Sequence, residues 1–189
     1  MKITIRPPVF FALLLALSGC AAQYTRAEAG VHRTDAYRFS TPIDWSQRSG
    51  RPVVWTVDGE SLEFLFHFEG IRNGATIFDK MPEDLAQPFS SDMRPSEVID
   101  IFVESFGTAT GARAVRMLSL NPSEFGPWRG FSFDFEFESI AGLAMRAVGH
   151  GAIIDRRLYL FVYAGARAYY FEKYLPHVEK MIESIAPIG

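Results

Sequence analysis

The chain has 189 residues, 48% of them hydrophobic and 22% charged, with a formal net charge of −3. That profile belongs to a folded globular protein and excludes disordered and fibrous chains. Its one cysteine, Cys20, excludes an internal disulfide framework, and no basic cluster follows it that could neutralise phosphates, so no nucleic-acid partner is expected.

Lys2 and Arg6 precede an apolar run from Val9 to Leu17. The run suits the core of an export signal and is too short to cross about 30 Å of hydrocarbon. It ends in Leu17-Ser18-Gly19-Cys20, which resembles the lipobox of bacterial lipoproteins. The resemblance implies that Leu17, Ser18 and Gly19 are read by the signal peptidase and that the Cys20 thiol takes a diacylglyceryl group. Residues 1–19 are then a lipoprotein signal peptide, and the membrane is a partner through acyl chains on Cys20. Two or three chains, at about 0.8 kcal/mol per buried methylene, make such anchoring stable. In a cell with two membranes, Ala21 stands where an aspartate often retains lipoproteins at the inner membrane, which points to the periplasmic face of the outer membrane. The alternative is an ordinary cleaved signal peptide with an incidental cysteine.

Residues 20–35 show no sustained period and read as the lipidated cysteine and a flexible tether, leaving a single globular domain over 36–189. That domain opens with short strands, "YRFS", "VVWTV" and "SLEFLFHFE". The last two are joined through Asp58-Gly59, which suits a tight hairpin turn. Residues 70–95 have scattered Gly, Pro and Asp, and read as a long irregular connection, either functional or ordered by packing. A helix is predicted over 96–106, capped by Ser96 and stopped at Gly107, with Val98, Ile99, Phe102 and Phe106 as its apolar stripe.

A strand "ARAVRMLSL" and a loop "NPSEFGPWRG" lead to "FSFDFEFES", in which Phe131, Phe133, Phe135 and Phe137 alternate with polar residues. One face of that strand is core. The next strand, "MRAVGHGAII", aligns antiparallel with Arg146 opposite Glu136 and His150 opposite Ser132. This register sets Met145, Ala147, Gly149 and Gly151 against the four phenylalanines, small against large. In "LYLFVYA" both faces are apolar, Leu158, Leu160 and Val162 on one and Tyr159, Phe161 and Tyr163 on the other, so both need cover. The covers are the helix at 96–106 and a C-terminal helix with Leu175, Val178, Met181, Ile182 and Ile185 on one stripe and Pro176 in its first turn. The expected fold class is α+β, a central mostly antiparallel β-sheet flanked by helices on both faces.

"YRFSTPIDW" and "LYLFVYAGARAYYFEKYLPHVEKMIESI" carry a further resemblance, to the PsbP-like α-β-α sandwich of photosystem extrinsic subunits and of DcrB-like bacterial envelope proteins. It covers roughly residues 36 to 186 as an order of elements and includes no catalytic motif. The chain also resembles proteobacterial lipoproteins with a "WTVDG" hairpin. Members of the PsbP-like group mostly act as assembly or accessory factors, and the resemblance implies such a role.

Chemistry-bearing patterns are few. Ser132, in "GFSFD", lacks the second glycine of a hydrolase elbow and sits inside a strand. His32, His67, His150 and His177 have no metal-ligand spacing, so no metal site is expected, and His67 reads as a hydrogen-bonded sheet histidine. Glu97, Asp100 and Glu104 read as the solvated side of a helix. No nucleotide or dinucleotide fingerprint occurs, so no cofactor is expected. Phe125 and Trp128 are candidate partner-binding anchors, the alternative being that Trp128 caps the end of the sheet. His150, Tyr159, Phe161 and Tyr163 are candidate pocket residues. The resulting function is a non-enzymatic envelope lipoprotein that binds an envelope protein or glycan. Two alternatives are a binder of a small apolar ligand between sheet and helix, and an anchored hydrolase using Ser132 and His150.

Overall fold

A computed structural model describes residues 24–79 and 81–188; the signal segment and Cys20, with Leu17, Ser18 and Gly19, lie outside them. Within the described residues, eleven strands and two α-helices follow in the order β1 (Thr25–Ala27), β2 (Gly30–Arg33), β3 (Tyr37–Thr41), β4 (Trp45–Arg48), β5 (Val53–Thr56), β6 (Glu63–Arg72), α1 (Pro95–Thr110), β7 (Arg113–Phe125), β8 (Trp128–Glu138), β9 (Ala144–Ile154), β10 (Arg157–Ala166), α2 (Tyr170–Glu183) and β11 (Ala186–Pro187). Eight strands form an antiparallel sheet in the order β1-β4-β5-β6-β10-β9-β8-β7, and β11-β3-β2 form a smaller one.

Strand alternation divides the core in two. Phe131, Phe133, Phe135 and Phe137 of β8 share a buried cluster with Leu158, Leu160 and Val162 of β10 and with Val98, Ile99, Phe102 and Phe106 of α1. Tyr159, Phe161 and Tyr163 belong to a second cluster with Phe171, Tyr174, Val178 and Met181 of α2 and with Tyr37 and Phe39 of the small sheet. The β8–β9 register pairs Glu136 with Arg146, Ser132 with His150, and the four phenylalanines with Met145, Ala147, Gly149 and Gly151. Glycine at 149 makes room for the ring opposite, since a Cβ there would fall 2.1 Å from Phe133 Cζ.

Several elements differ from the sequence reading. Over the expected tether, β1 pairs with β4 and β2 with β3, so ordered structure begins well before residue 36. Strands of three and four residues at sheet edges are too short to show a period. The β5–β6 connection runs over six residues, Val57 to Leu62, and is longer than the tight turn expected at Asp58-Gly59. It is held by Glu63, whose Oε1 accepts from Val57 N at 2.5 Å, Asp58 N at 2.9 Å and Thr56 Oγ1 at 2.7 Å. Within 70–95, Ile77, Phe78 and Phe89 are buried in the first cluster, so packing orders that segment.

Helix α1 begins and ends differently as well. Its N-cap is Arg94, whose backbone N–H donates to Glu97 Oε2 at 2.7 Å, and Pro95 takes the first helical position, where no N–H is needed. The helix continues through Gly107 and stops at Gly111, which adopts φ 70°, a left-handed cap that glycine takes without a Cβ clash. The loop expected over 121–130 is instead strand: β7 runs to Phe125, β8 starts at Trp128, and only Gly126 and Pro127 turn between them. Pro122 sits within β7, the outer strand of the sheet, where a missing N–H is tolerated. In α2, Pro176 lies inside the helix, six residues from its start.

Candidate functional site

A cavity of about 410 Å³ opens between the C-terminal end of α1, the start of β6 and the β8–β9 turn. Phe64, Phe66, Phe137 and Met145 supply its apolar wall, with Ala109 and Ala112 at the helix end. Each of these positions follows from local structure. Phe64 and Phe66 alternate along β6 onto the face that carries the β8 phenylalanines, and Met145 stands opposite Phe137 in the β8–β9 ladder.

Arg48 and Glu60 form the polar rim. The guanidinium Nε and Nη2 donate to the two carboxylate oxygens, each at 2.8 Å, a two-point geometry that holds both groups in place. The Tyr24 hydroxyl donates to Glu60 Oε1 at 2.5 Å. Burial pushes the Glu60 carboxyl up, but the hydrogen bonds from Arg48 and Tyr24 outweigh it and leave it below the ordinary range. The hydrogen bond to Glu60 holds Arg48 above its usual value. With this charge paired, the cavity offers hydrocarbon contact in preference to ion recognition.

Ile140 stands at the opposite rim, 78% exposed. Its Cδ1 lies 3.0 Å from where a Cβ on Gly111 would fall, so it sits over the cap of α1. Exposed Leu143 is in the same turn. The missed signal is "SIAGLAM", in which an apolar stretch fills a hairpin turn that ordinarily favours polar residues.

A second constellation lies on the other face. His67 is buried; its Nε2 and the Tyr37 hydroxyl share a hydrogen bond of 2.8 Å, and its ring stacks on Phe161 with centroids 4.2 Å apart. His67 Nδ1 lies 3.2 Å from Glu69 Oε1 without hydrogen-bond alignment. The imidazole beside it holds the Glu69 carboxyl below its ordinary range. Tyr37 is fully buried, packed among Phe125, Tyr159 and Phe161. This is the hydrogen-bonded sheet histidine that the alternation of β6 indicates.

The sequence-derived candidates are dispersed. Phe125 is fully buried, with its ring against Tyr37, so it is not a surface anchor. It ends a strand and does not stand on a loop. Trp128 is half-buried, its ring 6.3 Å from that of Tyr37, and packs at the sheet end. Tyr159, Phe161 and Tyr163 are buried in the cluster that α2 and the small sheet complete, so they fill the core and do not line a gap. The Tyr163 hydroxyl donates to the Tyr170 carbonyl at 2.7 Å. His150 is half-buried beside them in the ladder, opposite Phe161. Burial pushes its imidazole down, against a weaker upward pull from Asp134. Ser132 is its cross-strand neighbour, but no hydrogen bond joins the two side chains among the described residues, and Asp134 accepts instead from Ser119 Oγ at 2.6 Å.

Although Arg146 stands opposite Glu136 in the ladder, each forms its ion pairs elsewhere. Glu136 pairs with Arg116 and Arg167, while Arg146 reaches Glu172 at 3.9 Å and lies over the Phe171 ring. Glu97 caps α1 and Glu104 accepts from Gln87 Nε2 at 2.5 Å. Among the described residues, no group of three His, Cys, Asp or Glu side chains is placed to hold a metal, and no helix is long and apolar enough to cross a membrane.

No known protein family matches the sequence, and no curated protein does. The solution structure of cyanobacterial PsbP (CyanoP) from Synechocystis sp. PCC 6803 is similar to this chain, with a TM-score of 0.57 and 15% identity over 91% of this chain and 99% of that one. At that identity the likeness is one of fold: the chain has a PsbP-like α+β architecture.

Proposed function

We propose that this protein is a bacterial envelope lipoprotein, anchored through Cys20, that serves as a non-enzymatic binding or assembly factor for another envelope protein or glycan. The observation that carries the reading is Leu17-Ser18-Gly19-Cys20 behind a basic and apolar leader, with the first strand among the described residues beginning at Thr25. A body that starts so close to the acylated residue works at the bilayer surface. The fold of the reading is an α-β-α sandwich, supported by α1 and α2 packing against alternate residues of β10. The likeness to a cyanobacterial PsbP brings an accessory role by analogy of fold alone. The lack of a hydrogen bond between Ser132 and His150 favours this reading over a hydrolase.

The test is membrane fractionation of cells making the native chain or Cys20→Ser, with intact-mass measurement of the native protein. Loss of the variant from membranes and a diacylglyceryl increment on Cys20 are expected; an unmodified thiol, or equal fractionation, overturns the proposal. Crosslinked co-purification from intact cells then identifies the neighbour. A second reading, a binder of a small apolar ligand, draws on the cavity walled by Phe64, Phe66, Phe137 and Met145.

A further inference from the structure

We infer that the cavity between α1 and the β8–β9 turn holds one acyl chain of the lipid carried by Cys20. The inference rests on the lipoprotein reading above and assigns the cavity an occupant. Three observations lead to it.

The first is proximity along the chain. Tyr24 is hydrogen-bonded to Glu60, and Glu60 is on the cavity rim. Only four residue steps separate Tyr24 from Cys20, a span of at most about 14 Å when fully extended. A lipid held so near is presented to the opening at the high effective concentration of an intramolecular ligand, of millimolar order for short linkers.

The second is chemistry. Arg48 is engaged by both oxygens of Glu60, the Thr110 hydroxyl donates to the Phe106 carbonyl, and Ser139 Oγ accepts from Leu143 N. Arg48, Glu60, Thr110 and Ser139 are therefore engaged within the protein, Ser61 adds one exposed hydroxyl, and the wall between them is phenyl, thioether and methyl. Such a lining favours a hydrocarbon chain over a headgroup or a peptide carboxylate, since these would lose hydration without gaining a partner.

The third is size and continuity. About 410 Å³ falls in the range of roughly 300–1,000 Å³ typical of ligand cavities. Ile140, 78% exposed at the rim, extends the apolar surface beyond the mouth, which gives the part of the chain outside the cavity something to lie against.

The test uses the lipidated protein isolated from cells, with Ser61→p-benzoylphenylalanine as a photocrosslinker at the cavity lining. Illumination is expected to join position 61 to an acyl group on the Cys20 peptide, with no gain in intact mass. Adding Ala109→Trp, which fills the mouth from the helix side, is expected to lower that yield at least ten-fold. Adducts carrying the added mass of a phospholipid would assign the cavity to bilayer lipid and overturn the inference. Lipidated Cys20 without any acyl crosslink would overturn it too, while leaving the anchored reading intact. An unmodified Cys20 would remove both together.

Discussion

Tyr37 in the small sheet and His67 in the large one share a buried hydrogen bond of 2.8 Å between hydroxyl and Nε2. It is a polar link between two sheets that also meet there through packed aromatic rings. Tyr37→Phe preserves the ring and removes the hydroxyl, leaving Nε2 buried without its partner, a loss of about 1–3 kcal/mol. Urea denaturation of the variant checks this. A midpoint equal to that of the native chain would mean that the pair contributes nothing net.

Gly149 and Phe133 are matched by space. The ring occupies the volume that any side chain at 149 would need, with 2.1 Å between Cζ and the place a Cβ would take. Gly149→Ala is expected to destabilise by about 1–3 kcal/mol through overpacking. Phe133→Leu alone leaves a cavity, but in combination it vacates the contested volume. The double variant should therefore lose less than the sum of the two single ones, by roughly 0.5–3 kcal/mol. Strict additivity in thermal or chemical denaturation would contradict the contact.

Glu63 gives a pH dependence. Burial pushes its carboxyl up by more than the hydrogen bonds from Thr56, Val57 and Asp58 pull it down. A raised folded value means that the folded state holds the proton more tightly than the unfolded chain does. This group's contribution is therefore fully present below the unfolded value of about 4.3 and is lost as pH rises from there through the raised folded value. Glu63→Gln retains an acceptor oxygen and does not ionise. Relative to that variant, the native chain should lose stability across this window, measured as the difference in urea midpoints at a series of pH values. A flat difference, or one of opposite slope, would show that the three hydrogen bonds dominate.

Gly111 ends α1 in the left-handed region, with Ile140 directly above it. Gly111→Ala is expected to cost about 1–2 kcal/mol in backbone strain and to press on the Ile140 side chain. The paired variant Ile140→Ala relieves only the second effect. A Gly111→Ala chain as stable as the native one would show that the cap can adopt another conformation.

Strongly periodic segments were legible from the residues. The alternation of Phe131 to Phe137, the small residues opposite them and the two apolar faces of β10 determine which side chains are buried and in what register the last strands pair. A one-residue slip there would turn four phenyl rings to the other face. Edge strands and element ends were not legible in the same way. Thr25–Ala27 and Gly30–Arg33 are too short to carry a period, and the end of α1 depends on Gly111, which lies beyond the tempting stop at Gly107.

The chain's own letters determined an antiparallel sheet and the identity of its core faces, because each is a local or nearest-neighbour property of side-chain chemistry. Only the tertiary structure decided that Phe125 is interior and that Tyr159, Phe161 and Tyr163 are closed over. It alone decided that Arg48, Glu60, Phe64, Ala109, Phe137 and Ile140 meet around one cavity. Those residues come from strands, a helix end and two connections that lie far apart in the sequence, and a cavity is the space that packing leaves between them, which no single segment encodes.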